Sequence, residues 1–486
     1  MFRRRFAPVL LLLLALPLSA ADSPAMTQLQ AWLRVFASGD QPAFARFIAA
    51  NYAKALLDET GADVRAGLAG RTWLDARAFE IVSVEKSTDT EVTVLARSTL
   101  TRLWFRISMT VEAEPPHRIA AYAAQRIQPP HPKPLSSEEL VREVSAFVDR
   151  IAAADAFSGT ILIAKDGKPI YQTARGYASR AYDAKINLDT KFNLASIGKN
   201  FTAIAILQLI EAGKLSFDDK VGKLLPDYPN AEVREKVTIR HLLTHTSGLG
   251  ELYSPKYECL KGSLREVRDY LPLFQDDPHP LEFAPGDHWQ YSNAGFILLG
   301  AILERVSGEN FYEYIRRHVF APARLSSTDY YEADAEVPNR ATGYTHFLDL
   351  GENNYEFHID VLRNTLLRTT VRGNPQGGAF SSAPDMLRYA NALPTLVSPK
   401  TLADMTTAKV EARRVDAAVT YWGYGFELEE INGHHVYGHT GGDFGVSSVF
   451  RVYPDAGNYT VIVLSNTDRG GQIAIYKIHE LILFGG

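Results

Sequence analysis

A single cysteine, Cys259, stands in 486 residues, so no intrachain disulfide can form and stability has to come from packing. Long apolar runs are equally scarce. Beyond Leu18 no stretch approaches the ~20 apolar residues of a membrane-spanning helix. Charge of one sign is lacking too: the net charge is -5, which offers no footprint for nucleic acid or another polyanion. His241 and His245 are four apart, but Thr246-Ser247-Gly248 reads as a helix end and no further ligands stand nearby. Both are therefore read as structural, and no metal site is expected.

What is present begins with an export signal. Arg3-Arg4-Arg5 is followed by an apolar run from Val9 to Leu16 and then by Ser19-Ala20-Ala21, the three parts of a secretory signal peptide. Cleavage is expected after residue 21, leaving no membrane span. Cys259 lies too far from that point to accept a lipid, and an exported chain without disulfides fits a bacterial periplasm, or secretion into the medium.

With 46% apolar residues the chain can bury large cores in more than one domain. Residues 22–127 open with helical spacing at Leu29, Trp32, Leu33 and Phe36, repeated at Phe44, Phe47 and Ile48. The period then changes to two, as in Leu103, Phe105, Ile107, Met109 and Val111. Further strands are expected at Phe79–Val84, Glu91–Arg97 and Arg118–Ala124, giving a small α+β domain. In pattern rather than in motif it resembles the cone-shaped NTF2-like domains, and a docking or dimerising module is its expected role. Residues 128–134, Gln128-Pro-Pro-His-Pro-Lys-Pro134, form a proline-rich spacer.

Residues 135–486 form the second domain. Ser136-Ser137-Glu138-Glu139 reads as a capping box, and strands are expected at Ser158–Ala164 and Pro169–Ala174. The chain ends in further strand-like runs at Gly425–Glu429, His435–Gly438, Val446–Tyr453 and Tyr459–Ser465, with helical sequence between. Strands at both ends imply one antiparallel sheet closed by the chain termini, with helices packed against it.

Three short patterns carry chemistry. Ser196 and Lys199 lie one helical turn apart at the start of an apolar helix expected from Ser196 to Ala212, so hydroxyl and amine share a face. A second Ser-x-x-Lys, Ser83 to Lys86, sits in a strand, where an offset of three sends the side chains to opposite faces. Tyr291-x-Asn293 enters the helix Phe296–Val306, with Asn293 as cap the plainer alternative. Tyr437-Gly-His-Thr-Gly-Gly-Asp-Phe-Gly445 interrupts strand-like sequence with glycines that allow close backbone approach, a bulge being the plainer alternative.

In this order, Ser196-x-x-Lys199, Tyr291-x-Asn293 and His439-Thr440-Gly441 resemble the serine penicillin-recognising superfamily, in the branch of class C beta-lactamases, D-alanyl-D-alanine carboxypeptidases and related serine esterases. His241–Leu249, Pro285-Gly286 and Gly377–Asp385 resemble family segments as well. The resemblance implies an α+β beta-lactamase-like domain needing no cofactor. It makes Ser196 the nucleophile of an acyl-enzyme, with Lys199 and Tyr291 moving its proton. The base stays unassigned between those two, and Tyr291 is expected to act as leaving-group acid and partner base. The backbone N–H groups of Ser196 and Gly442 would form the oxyanion hole. Asn293 would hold Lys199 and the substrate amide, while His439, Thr440 and Gly441 would meet a substrate carboxylate.

The beta-lactamase pattern usually has lysine where His439 stands. A histidine is only partly charged at neutral pH, which favours a carboxypeptidase or esterase acting on small esters and amides, peptidoglycan D-peptides included. A class C-type beta-lactamase and a penicillin-binding sensor that acylates without turnover are the alternatives. Gly377-Gly378 is expected to turn the chain near the cleft and Asp385 to cap a helix, Met386–Ala392. The segment Thr345–Gly373 is expected to wall or cover the cleft and to set substrate choice.

Overall fold

The computed structural model describes residues 23–485 except 275–280, 351–353, 369 and 416–417; the expected signal peptide at 1–21 lies outside the described residues. The chain divides into two compact units, one ending at Pro129 and the other beginning at Pro130. No helix among the described residues is long and apolar enough to cross a membrane.

The first unit holds helices Pro24–Ala37, Gln41–Asn51, Lys54–Glu59 and Ala62–Ala76, followed by a four-stranded antiparallel meander. Its centre is aromatic. Trp32 packs on Phe36, Phe44, Phe47 and Tyr122 with ring centroids 5.4–6.0 Å apart. The last two helices had no sequence signature, because the longer one buries Ala66, Gly70 and Ala76 and small residues leave no apolar period to read. The strand at Phe79–Ser87 carries two register shifts, so strict alternation fails there. Ser83 and Lys86 are both exposed, and Lys86 pairs with Glu91.

The second unit is built on an eight-stranded antiparallel sheet. Strand order runs 410–415, 418–422, 427–431, 434–443, 446–453, 459–465, 159–165, 168–175. The last two strands of the chain thus reach back to the first hairpin of the unit, as the strand runs at both ends require. Two strands at one end of the sheet, Val410–Val415 and Ala418–Trp422, are additions to the expected set. The strand expected to end at Gly438 continues to Asp443, so the His-Thr-Gly segment is regular strand rather than an interruption.

Against this sheet lies the helix Gly198–Glu211, buried from Gly198 through Leu207. It is a core helix, and its buried polar residues Lys199, Asn200 and Thr202 are hydrogen-bonded. Phe201 packs edge-on to Phe320 and Tyr389, each 5.0 Å away. The chain enters it through a tight turn, Ala195–Ile197, and leaves it at Gly213, whose φ of 69° is the left-handed stop expected of glycine. A second buried helix, Asn293–Ser307, packs beside it and is capped by Ser292, whose Oγ accepts from the Gly295 N–H. Asn293 is therefore not the cap, and its amide is left for other partners. Nor does Asp385 cap a helix: Ser382 does so for Ala383–Leu396, while the buried Asp385 carboxylate accepts from the Ser327 N–H at 2.7 Å and the Thr328 hydroxyl at 2.8 Å.

Candidate active site

Ser196 sits in the turn that opens the buried helix. Ala195, just before it, has φ 43°, a left-handed conformation that costs energy for a residue with a Cβ. The turn is held there from three sides. The Asn193 side chain accepts from the Ala195 N–H at 2.7 Å, and the Ala195 carbonyl accepts from the Gly378 N–H at 3.0 Å. A Cβ on Gly377 would stand 2.4 Å from that same carbonyl, so only glycine lets this loop approach.

Lys199 is fully buried one turn later. Its Nζ donates to Ser196 Oγ at 3.3 Å, to Asn293 Oδ1 at 2.7 Å and to the Gln376 carbonyl at 2.7 Å. That carbonyl is itself fixed: Asn374 Oδ1 accepts from the Gln376 N–H, and Asn374 Nδ2 donates to Tyr270 Oη at 2.8 Å. Burial disfavours the ammonium and lowers the Lys199 pKa to about 7, opposed only in part by the Glu251 carboxylate. Glu251 reaches the site through Asn293, whose Nδ2 donates to its Oε2 at 3.0 Å.

Tyr291 lines the same cavity as Ser196, with its ring centroid 4.7 Å from Lys199 Nζ. Burial pushes the phenol pKa well up, and the negative charges of Glu251 and Glu427 add to this, opposed in part by the neighbouring Ser196 hydroxyl. Its ring is stacked on His245 at 4.4 Å and 24° and meets Trp422 edge-on. His245 is thus more than the helix-end packing residue its sequence implied, because it fixes the Tyr291 plane. His241 caps its own helix through Thr238.

Ser196, Tyr291, Asn293 and Gly442 line one cavity of about 540 Å³, together with Tyr253, Asn374, Gln376, Gly377 and Asp443. Residues 439–443 run past the end of the neighbouring strand, whose pairing stops at Glu427–Gly438. They leave a free strand edge on that side, where backbone N–H groups are open to a bound group.

The His-Thr-Gly segment does not present its side chains as expected. His439, Thr440 and Gly441 are not among the residues lining the cavity. His439 faces the helices, buried edge-on against Trp422 at 5.3 Å, and burial lowers its pKa to about 4, so it is neutral at pH 7 and cannot attract a carboxylate. Alternation turns Thr440 to the opposite face, where its hydroxyl donates to Glu427 Oε2 at 3.3 Å. Glu427 is in turn clamped by the buried Arg451 at 2.7 Å. Gly441 has a steric role: a Cβ there would fall 2.0 Å from the Leu194 carbonyl, so glycine allows the strand to lie against the Ser196 turn.

The family model described as Beta-lactamase matches residues 142–483. The chain belongs to the beta-lactamase family. Among relatives, Penicillin-binding protein 4* of Bacillus subtilis (strain 168) is 30% identical over 349 residues, which cover 68% of this chain and 73% of that protein. Esterase EstB of Burkholderia gladioli is 31% identical over 324 residues, covering 60% of this chain and 80% of the esterase. The solved penicillin binding protein from Bacillus halodurans aligns with a TM-score of 0.60 and 34% identity over 69% of this chain and 98% of its own. Membership in this family makes the chain a serine hydrolase.

Proposed function

We propose that this beta-lactamase-family protein is an exported hydrolase of small esters and amides that works through an acyl-enzyme on Ser196. The observation that carries the reading is the fully buried Lys199, 3.3 Å from Ser196 Oγ and shifted to a pKa of about 7. Near neutral pH about half of it is free amine, able to take the serine proton as Oγ attacks a carbonyl. Tyr291 is shifted the opposite way, so it serves as donor rather than base. It passes a proton from the Lys199 ammonium to the leaving group. The N–H groups of Ser196 and Gly442 face the developing oxyanion, where one such donor is worth ~10²–10³ in rate. Water then hydrolyses the acyl-enzyme. Export rests on the sequence of residues 1–21.

A neutral His439 weighs against beta-lactam hydrolysis, since the penicillin carboxylate beside the scissile bond finds no cation at that strand. The reading is tested by incubating the mature protein with a short-chain nitrophenyl ester, a D-Ala-D-Ala peptide, a chromogenic cephalosporin and a fluorescent penicillin, following turnover and intact mass. Ser196-dependent turnover of the ester or the peptide, with slow or no cephalosporin cleavage, is the expected result. Rapid cephalosporin cleavage would reassign the protein as a class C-type beta-lactamase. A stable penicillin adduct without turnover would make it a sensor.

Tyr291→Phe separates acid from base. Loss of the leaving-group donor should lower kcat/KM by ~10²-fold on an alkyl ester or amide, and much less on a nitrophenyl ester, whose leaving group departs unprotonated. Equal losses on both would remove Tyr291 from that role.

A further inference from the structure

Lys199 leans on an amide that could bind in either of two senses. Asn293 Oδ1 accepts from Lys199 Nζ at 2.7 Å, while Asn293 Nδ2 donates to Glu251 Oε2 at 3.0 Å. Turned over about its last bond, the same side chain would aim Nδ2 at the lysine ammonium, donor against donor. The Gln376 carbonyl accepts from Nζ at 2.7 Å and exerts no choice on the amide. The Tyr253 hydroxyl, 3.4 Å from Asn293 Nδ2, does not decide either, because a phenol donates as well as accepts. A carboxylate only accepts, so Glu251 is the partner that fixes the sense.

The fold holds that carboxylate in place. Glu251 is exposed, but the chain on each side of it is pinned. The Gly250 carbonyl accepts from Ser292 Oγ at 3.2 Å, and Leu252 is buried. Ser292 caps the helix that Asn293 begins, so one residue anchors the loop of Glu251 and the next receives its carboxylate. Charge adds to this geometry. Burial disfavours the Lys199 ammonium, and the Glu251 carboxylate works against that. The other titratable groups around the amine supply no charge near neutral pH. Burial keeps His245 and His439 neutral, the second with a pKa of about 4, and pushes the phenols of Tyr253 and Tyr291 well up. Glu427, which acts on His439 and Tyr291, is paired with the buried Arg451.

We propose that Glu251 is a positioning residue of the hydrolase: through Asn293 it keeps the amide oxygen turned to Lys199, and its charge supports the ammonium that forms when the Ser196 proton passes to the Nζ lone pair. The reading rests on the hydrolase function above and adds what sets the strength of its base. Buried without this carboxylate, the amine would accept the serine proton less readily, and an amide free to turn over would oppose the ammonium.

The test follows kcat/KM for a short-chain nitrophenyl ester from about pH 5 to 9, with the full mature chain, in the parent, Glu251→Gln and Glu251→Ala. In the parent the rate rises with pH as Lys199 loses its proton near pH 7. Glutamine still accepts from Asn293 Nδ2 but carries no charge. Its midpoint should move acidward by about half a pH unit, because the ammonium loses its neighbouring anion. At about pH 6 this variant should therefore keep about two- to threefold more of its own plateau than the parent keeps of its own. Alanine removes the acceptor as well, and should show the same acidward move with a plateau about 10-fold lower. Glu251→Asp should return the midpoint toward that of the parent, and circular dichroism checks the fold of each variant. A midpoint that stays in place in both Glu251→Gln and Glu251→Ala overturns the proposal alone, since a merely structural carboxylate would lower the plateau without moving the titration. An alanine plateau no lower than that of glutamine does so as well, because the amide would then need no acceptor. Absence of Ser196-dependent turnover in the parent overturns the hydrolase reading and this one together.

Discussion

Ser196→Ala is expected to lower kcat/KM for a short-chain ester by ~10⁴-fold or more and to abolish the acyl adduct in intact-mass spectra. Other hydroxyls line the cavity, on Tyr253, Tyr257, Tyr291, Tyr355 and Thr370, but among the described residues of that lining only the Ser196 hydroxyl accepts from the buried Lys199 amine. The loss should be catalytic rather than structural. Lys199, which donates to the serine hydroxyl, still holds Asn293 and the Gln376 carbonyl. Thermal unfolding should therefore change little, and circular dichroism checks the fold. Cys259 is exposed on the segment Pro255–Leu260, next to the wall residues Tyr257 and Lys261. Its thiol is the obvious source of a misleading adduct, so the comparison belongs in a Cys259→Ser background. An ester-derived adduct that persists there in Ser196→Ala would place the nucleophile elsewhere.

Ser196, Lys199, Tyr291 and Asn293 were legible because each is announced by a local pattern: a helix offset of three for the first pair, and a strand-to-helix entry for the second. The structure brings all four to one place. His439, Thr440 and Gly441 were misread for a physical reason. Their roles came from the resemblance, with the segment read as an interruption of the strand. Treated as the strand they are, neighbours must face opposite ways, and the groups that claim them lie on other strands, Trp422 for His439 and Glu427 for Thr440. The carbonyl of Gln376 and the Glu251 carboxylate carried no signal at all. They come from irregular segments, where residue type says nothing about what the fold will place opposite. The segment Thr345–Gly373 was expected to wall or cover the cleft, and it supplies Tyr355, Arg368 and Thr370 to the cavity.

Lys199→Met is expected to cost ~10²–10⁴-fold in kcat/KM and to remove the rise of kcat/KM with pH near 7 that free amine at Lys199 produces in the parent protein. It also separates the base from a merely structural lysine through folding stability. In the unfolded chain this amine titrates near the ordinary ~10.4; in the folded protein burial lowers it to about 7. Between those values the unfolded state binds more protons than the folded one, so unfolding free energy rises with pH there, by up to ~1.4 kcal/mol per pH unit. Below pH 7 both states hold the proton and the penalty for the buried ammonium is complete. Methionine binds no proton, so the stability of the parent minus that of Lys199→Met should climb from about pH 7 toward pH 10. This slope is the better readout than the stability change at one pH, because the substitution also strands Asn293 Oδ1 and the Gln376 carbonyl, a cost that does not titrate. Urea unfolding of both proteins across that window measures it. A flat difference would mean that Lys199 stays charged throughout, and the serine proton would then need another acceptor.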